Sequence, residues 1–272
     1  MKIIDAGDAR IPALGYGTWR LEGDEARDMT AAAIGAGFRH VDTARMYKNE
    51  AAVGAGVRAS GVARDALFVT TKIWPDDHAP DALRAAAEDS VATLGFEPDM
   101  ILLHWPSKTV PLGETIPALC RLAADGLCAH VGVSNFTRAQ VETVTALADR
   151  KLAVNQVEFH PYLDQSPMLD LLASKGMALT AYLPLARGEA PGDPVLQRIA
   201  AQHGATSAAV CLAWILARGA IAIPKTANRG RLEENLSAQE LELTAAQVEE
   251  ISALAKPDGR MVNMPEIAPD WD

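Results

Sequence analysis

Eight short apolar runs, each leading into an amphipathic stretch, limit what this chain can fold into more than any other feature. They are LGYG (14–17), FRHVDT (38–43), LFVTTKI (67–73), DMILLHW (99–105), AHVGVSNF (129–136), AVNQVEF (153–159), MALTAYL (177–183) and AIAIPK (220–225). Runs of this length without polar alternation suit strands buried on both faces, as in a parallel sheet covered by helices. Most recur at intervals of roughly 25 to 30 residues, the spacing of successive strand–helix units. The stretches between them carry helix punctuation: DEARDMTAAAIGAG ends in Gly37, and PDALRAAAEDSVATLG starts at Pro80 and stops at Gly95. The seventh interval is longer because PVLQRIAAQHG adds a helix before SAAVCLAWILARG.

Eight such units predict an α/β chain closed into a (β/α)8 TIM barrel. The rival is a doubly wound nucleotide-binding sheet, which needs a glycine-rich turn directly after its first strand. GAGVRA (54–59) has that spacing but lies inside the helical segment NEAAVGAGVRASG, which removes it as a phosphate loop. The opening KIIDAGDARI reads as an N-terminal β-hairpin plugging the bottom of the barrel. LTAAQVEEISALAK reads as a helix outside the repeat, so two auxiliary helices are expected, followed by the aperiodic tail PDGRMVNMPEIAPDWD. No linker or low-complexity segment divides the chain, and residues 1–272 are expected to form a single domain.

Charge narrows the partners. With 35 Asp and Glu against 25 Lys and Arg, the net charge of −10 argues against nonspecific binding to nucleic acid or to an anionic membrane. A phosphate-bearing ligand would need a local basic island. Cys120, Cys128 and Cys211 fit neither a disulfide framework nor a metal site, and are expected to be reduced and buried. The N-terminus turns polar at Asp5, too early for a signal sequence, and no run of about 18 apolar residues occurs, so a soluble cytoplasmic protein is expected.

In a barrel of this kind, chemistry collects where strands end. The strand ends here carry Asp42, Lys72, His104, Ser134 with Asn135, Gln156 with Glu158, Tyr182 and Lys225. Any one of these could be ordinary wetting of a barrel mouth or capping of a strand end. Together they are the residue types of a proton-transfer site. Trp19, Trp74 and Trp105 fall just past the first, third and fourth strands, as a wall for a substrate pocket or as core filling beneath the loops. Lys225, Arg229 and Arg231 precede Glu233 at the start of a helix, which supplies the basic island that the acidic chain otherwise lacks. No second His or Cys stands at ligand spacing from His104, so no metal is expected.

The segments DTARMYKNE, TTKIW, LLHWP, GVSNF, NQVEFHPY and IPKTANRGRLEEN together resemble the aldo-keto reductases, in order and over nearly the whole chain. The tail EIAPDWD and the stretch AYLPLARGEA are most similar to a bacterial subgroup that reduces 2,5-diketo-D-gluconate and methylglyoxal. The resemblance implies an NADPH-dependent carbonyl reductase with a catalytic tetrad of Asp42, Tyr47, Lys72 and His104. A free tyrosine has a pKa of about 10 and donates reluctantly at neutral pH. Lys72 would lower that value, Asp42 would keep Lys72 charged, and a neutral His104 would donate to the carbonyl oxygen.

The same resemblance implies that Ser134, Asn135 and Gln156 hold the nicotinamide carboxamide and that Tyr182 stacks on its ring. Lys225, Thr226 and Arg231 would grip the 2′-phosphate, with Glu234 and Asn235 near the adenine and Thr18 and Leu185 lining the dinucleotide groove. Leu183 and the LAR of AYLPLAR depart from the family's usual AYSPLG, whereas Thr226 in place of serine keeps its hydroxyl. A small carbonyl substrate, no nucleic acid, no membrane and a monomer are the expected partners and state. The alternatives are a Schiff-base aldolase using Lys72, a hydrolase, or a non-catalytic regulatory subunit on the same fold. Against the aldolase, Asp42 keeps Lys72 protonated; against the hydrolase, the GVSNF serine lacks the second glycine of a nucleophile elbow, and Asp42 with Glu158 would need the separation of a glycosidase pair.

Overall fold

The computed structural model describes residues 1–272. A hairpin of β1 (Ile3–Ala6) and β2 (Ala9–Pro12) comes first. The barrel strands follow as β3 (Tyr16–Gly17), β4 (His40–Asp42), β5 (Phe68–Ile73), β6 (Met100–Leu103), β7 (His130–Ser134), β8 (Val154–Glu158), β9 (Ala178–Tyr182) and β10 (Ile221–Ala222). Every pairing among them is parallel, in the order β10-β9-β8-β7-β6-β5-β4-β3. The ring closes between its two shortest strands, where Gly15 N donates to Ala222 O at 2.8 Å, Gly17 N to Pro224 O at 3.0 Å and Ala222 N to Ala13 O at 2.9 Å. Closure there demands a bare backbone: a Cβ on Gly17 would stand 2.9 Å from Ile223 O.

The helices alternate with the strands. After β3 comes α1 (Gly23–Ala36), after β4 α2 (Glu50–Ala59), after β5 α3 (Pro80–Leu94), after β6 α4 (Leu112–Ala124), after β7 α5 (Arg138–Leu147) and after β8 α6 (Ser166–Ser174). Two helices, α7 (Pro194–His203) and α8 (Ser207–Ala217), separate β9 from β10, and α9 (Gly230–Ser237) and α10 (Ala245–Ser252) close the chain. The expected additions are therefore α7 and α10. Pro80 opens α3 and Gly95 ends it in the left-handed region at φ 82°, as the punctuation required. GAGVRA lies within α2, so no phosphate loop is formed there. The apolar sequence of α8 is buried nearly all round, beneath α7, α9 and α10. No single helix is long and apolar enough to cross a membrane.

Strand pleating divides the core in two. Ile101 and Leu103 on β6 face the helices, within the large cluster that includes Phe136, Leu179 and Trp214. Met100 and Leu102 face inward and meet Val154, Ile221 and the hairpin residues Ala6, Ala9 and Ile11, which plug the floor. Each fully buried aliphatic side chain of this kind contributes about 1.5–3 kcal/mol of transfer free energy. Inward positions nearer the strand C-termini carry polar residues instead, and these form the site.

Candidate active site

Register brings the first two charged groups together. Asp42 pairs with Thr70 and Lys72 with Leu102, so Lys72 projects inward two residues above Thr70, beside Asp42. Lys72 Nζ donates to Asp42 Oδ1 at 2.5 Å, to Thr43 O at 2.9 Å and to Tyr47 Oη at 3.3 Å. Lys72 is 0% exposed and Asp42 2%. From the far side of the barrel, Gln156 Nε2 on β8 donates to the other oxygen of Asp42 at 2.8 Å. All three ammonium protons are thus committed.

Tyr47 reaches this group by a single 3-10 turn, Arg45–Tyr47, placed between extended Ala44 and Lys48 at φ 56°. The Asp42-to-Tyr47 step in the sequence is that turn. Its ring sits 4.7 Å from Trp19 and 5.7 Å, edge on, from His104. His104 follows β6 directly, its backbone N–H continuing the ladder to Ile73 O at 2.9 Å, and Trp74 packs edge-on against it at 5.1 Å. Asp42, Tyr47, Lys72 and His104 are therefore brought together at the mouth.

Their protonation follows from burial and neighbouring charge. For Lys72, burial pulls the pKa down, but Asp42 and Tyr47 more than offset it and the net shift is upward, so the ammonium persists. Burial, together with Lys72 and His78, drives His104 well below the ordinary histidine value, leaving a neutral imidazole whose buried Nδ1 has no partner. Tyr47 departs from the expectation of a lowered pKa. Burial raises it, the neighbouring ammonium pulls it down, and the net is upward. The phenol is thus held in its protonated form, and the ammonium 3.3 Å away stands ready to favour the tyrosinate once the proton has left.

The remaining strand-end residues form a continuous network. Ser134 Oγ donates to Gln156 O at 2.8 Å, Asn135 Nδ2 donates to His104 O at 2.9 Å, and Tyr182 Oη donates to Asn135 Oδ1 at 2.8 Å. Thr18 is fully buried and its hydroxyl donates to Asp42 O at 3.0 Å, so it braces the tetrad instead of facing open space. Leu185 is half-buried in the loop after β9. Trp19 is 39% exposed and Trp74 half-buried, both placed to wall a pocket. Trp105 is only 3% exposed and lies edge-on to Trp271 at 6.0 Å, which puts it beneath the C-terminal tail rather than in an open wall.

Around β10 and α9 the basic island is intact. Lys225, Arg229 and Arg231 are exposed and none pairs with an acid within 4.0 Å. Thr226 Oγ1 accepts from Asn228 N at 3.0 Å, and Glu234 and buried Asn235 lie on α9 behind Arg231. A phosphate-bearing cofactor fits this donor set, three free cations in an acidic chain. A depression of about 330 Å³ lined by Arg150, Lys151 and Lys175 lies on the opposite face, among loops leading into strands, and shares no residue with the tetrad.

Backbone strain marks the same end. The non-glycine residues at positive φ are Arg20, Lys48, Asn135, Leu183, Ala186 and Arg187, and every one follows a barrel strand. Three of them fall in AYLPLAR, where the sequence departs from the family's usual pattern. Sequence reasoning missed Asn49, which is 2% exposed. Its Nδ2 donates to Thr18 O and Leu21 O, both at 2.9 Å, and its Oδ1 accepts from Thr43 Oγ1 at 2.8 Å, stapling two mouth loops together. An asparagine before a helix reads as an N-cap from sequence, and only the fold shows the staple.

The model of the Aldo/keto reductase family matches residues 13–256. Methylglyoxal reductase DkgB of Escherichia coli is 40% identical over 266 residues, 96% of this chain and 99% of that protein. Glyoxal reductase of Bacillus subtilis is 40% identical over 248 residues, 90% of each chain. Among solved structures, one provisionally named 2,5-diketo-D-gluconic acid reductase B superposes with a TM-score of 0.98 at 42% identity, covering 100% of this chain and 98% of that one. An aldo-keto reductase of Bombyx mori in complex with NADP gives 0.91 at 31% identity, covering 97% and 96%. With a family match over most of its length and the tetrad assembled at the mouth of a (β/α)8 barrel, this chain belongs to the aldo/keto reductase family.

Proposed function

We propose that residues 1–272 work as one domain that reduces small aldehydes and ketones with NADPH, methylglyoxal and 2,5-diketo-D-gluconate being the model substrates. The observation that carries this reading is the Lys72 ammonium, locked between Asp42 and the Tyr47 hydroxyl. NADPH supplies the hydride when bound. Lys225, Thr226 and Arg231 would hold its 2′-phosphate, Glu234 and Asn235 its adenine end, and Ser134, Asn135, Gln156 and Tyr182 its nicotinamide end.

The protein's own part is to orient a carbonyl oxygen and protonate it. Neutral His104 donates a hydrogen bond to that oxygen and Tyr47 Oη gives it the proton. The tyrosinate left behind is stabilised by Lys72, whose charge is in turn held by Asp42. Trp19 and Trp74 exclude water on one side.

A neutral His104 leads to a pH prediction. Because its pKa is depressed well below the ordinary value, its protonation does not limit the rate between about pH 6 and 9. His104→Gln, which keeps a neutral donor, should lower kcat/KM by about ten- to a hundredfold without changing the profile's shape across that range. An acid limb near pH 6.5 in the wild type that vanishes in the variant would show a charged histidine instead.

Cofactor choice is tested at the basic island. Arg231→Ala should raise the Kd for NADPH about tenfold, while NADH binding moves less than about twofold, since a charge-assisted phosphate contact is lost only with the former. Equal losses in a fluorescence titration would remove Arg231 from the phosphate site.

A further inference from the structure

Beyond α10 the chain forms no further helix or strand, yet it is tied down along its length. Glu158 Oε1 at the end of β8 accepts the amide of Met261 at 2.6 Å, and Oε2 accepts that of Val262 at 2.8 Å. Arg187, in the strained loop after β9, donates to Met261 O at 3.0 Å. Lys108, after β6, donates to Pro265 O at 3.2 Å. The side chain of Asp272 accepts from Arg138 N and Ala139 N, at 3.0 and 3.1 Å, on the first turn of α5 after β7. The tail therefore spans the ends of β6, β7, β8 and β9, and Arg260 stacks on Trp271, 3.6 Å from its ring centre, above Trp105. Tyr47, Trp19 and Trp74 belong to the opposite half of the rim, after β3, β4 and β5.

The first of these ties is unusual in its chemistry. Glu158 is 0% exposed, and apart from His160 Nε2 at 2.9 Å its carboxylate is bonded only by the two tail amides. A buried carboxylate is costly without donors, so the two tail amides offset part of the cost of placing Glu158 at a strand end, and Glu158 in turn favours the docked tail. Within the tail only one turn forms, with Ile267 N and Ala268 N donating to Met264 O at 3.0 and 2.7 Å, so its position depends on such anchors. Two consecutive amides gripping one carboxylate make a specific latch, where scattered surface contacts would not.

We propose that Glu158 is a positioning residue that latches the C-terminal segment 260–272 over half of the mouth, so that the tail, with Trp105 beneath it, forms the wall of the substrate pocket facing Trp19 and Trp74. The inference rests on the reductase reading above. Glu158 does not touch the reacting carbonyl; it acts through Met261 and Val262, and it governs how well a small carbonyl compound is held, not how fast it is protonated.

The test uses the full chain with Glu158→Gln, which keeps the shape but turns one acceptor into a donor facing an amide, and with Val262→Pro, which deletes one donor and leaves both Glu158 and the Arg260–Met261 bond intact. Limited trypsin digestion, read by mass spectrometry after Arg260, reports the latch. Steady-state kinetics with methylglyoxal and NADPH report the pocket. Both variants should be cut at least about tenfold faster and show KM raised about tenfold, with kcat reduced less than about threefold and NADPH affinity unchanged. Should Glu158→Gln fail to fold, Val262→Pro carries the same prediction. Unchanged cleavage overturns the latch. Faster cleavage at unchanged KM, or a loss confined to kcat, overturns the pocket role. A wild type that turns over no carbonyl compound sinks the reductase reading and the pocket role with it, while the cleavage result still decides the latch independently.

Discussion

Tyr47→Phe lowers carbonyl reduction by about a thousandfold, the mid-range effect of deleting a positioned general acid. The substitution removes one oxygen and leaves the ring packed against Trp19 and edge-on to His104, so the fold and the cofactor groove should be undisturbed. NADPH affinity, read by quenching of tryptophan fluorescence, should stay within about twofold, because no proposed cofactor contact involves the hydroxyl. The pairing of lost turnover with retained binding is what identifies a proton donor. A variant that still reduces methylglyoxal at more than about a tenth of the wild-type rate would put the donor elsewhere, and His104 would be the next group to test.

Lys72→Met produces the second large effect, on both stability and activity. It strands the Asp42 carboxylate, 2% exposed, with Gln156 as its remaining side-chain partner. Removing one member of a buried ion pair costs about 3–5 kcal/mol, which lowers Tm by about 10 °C in a chain of this size. Combining it with Asp42→Asn should recover most of the Tm, since no unpaired charge remains, yet reduction should stay at the level of the single variant. Recovery of activity with stability would mean that the pair serves folding alone. The pH dependence has a defined sign. The pKa of Lys72 is raised on folding, so its contribution is complete below the ordinary lysine value and fades only as pH rises through the raised one.

Most of the barrel was legible because its signals are local. Continuous apolar runs such as MILL on β6, Gly95 at the end of α3 and the false phosphate loop inside α2 each follow from a few adjacent residues. Asp42, Lys72 and His104 were legible as polar strand ends, but their assembly with Tyr47 into one tetrad only through the resemblance, since nothing local says that Lys72 on β5 and Gln156 on β8 meet at one carboxylate. That meeting depends on register and barrel closure. What the sequence hid is of the same kind: the Asn49 staple, the upward shift of Tyr47 and the grip of Glu158 on Met261 and Val262 join residues far apart in the chain. Trp105 shows the converse. Its position past β6 allowed a pocket wall or core filling beneath the loops, and only the docked tail shows that Trp271 covers it.

The most direct test is the reduced-nicotinamide absorbance of NADPH after methylglyoxal is added to the purified protein. Loss of that absorbance in step with consumption of the carbonyl compound is the expected result. No loss of absorbance, together with a stable borohydride-trapped adduct on Lys72, would contradict it: the lysine would then act as a nucleophile, and the ammonium held by Asp42 and Tyr47 would not be the charge on which carbonyl reduction depends.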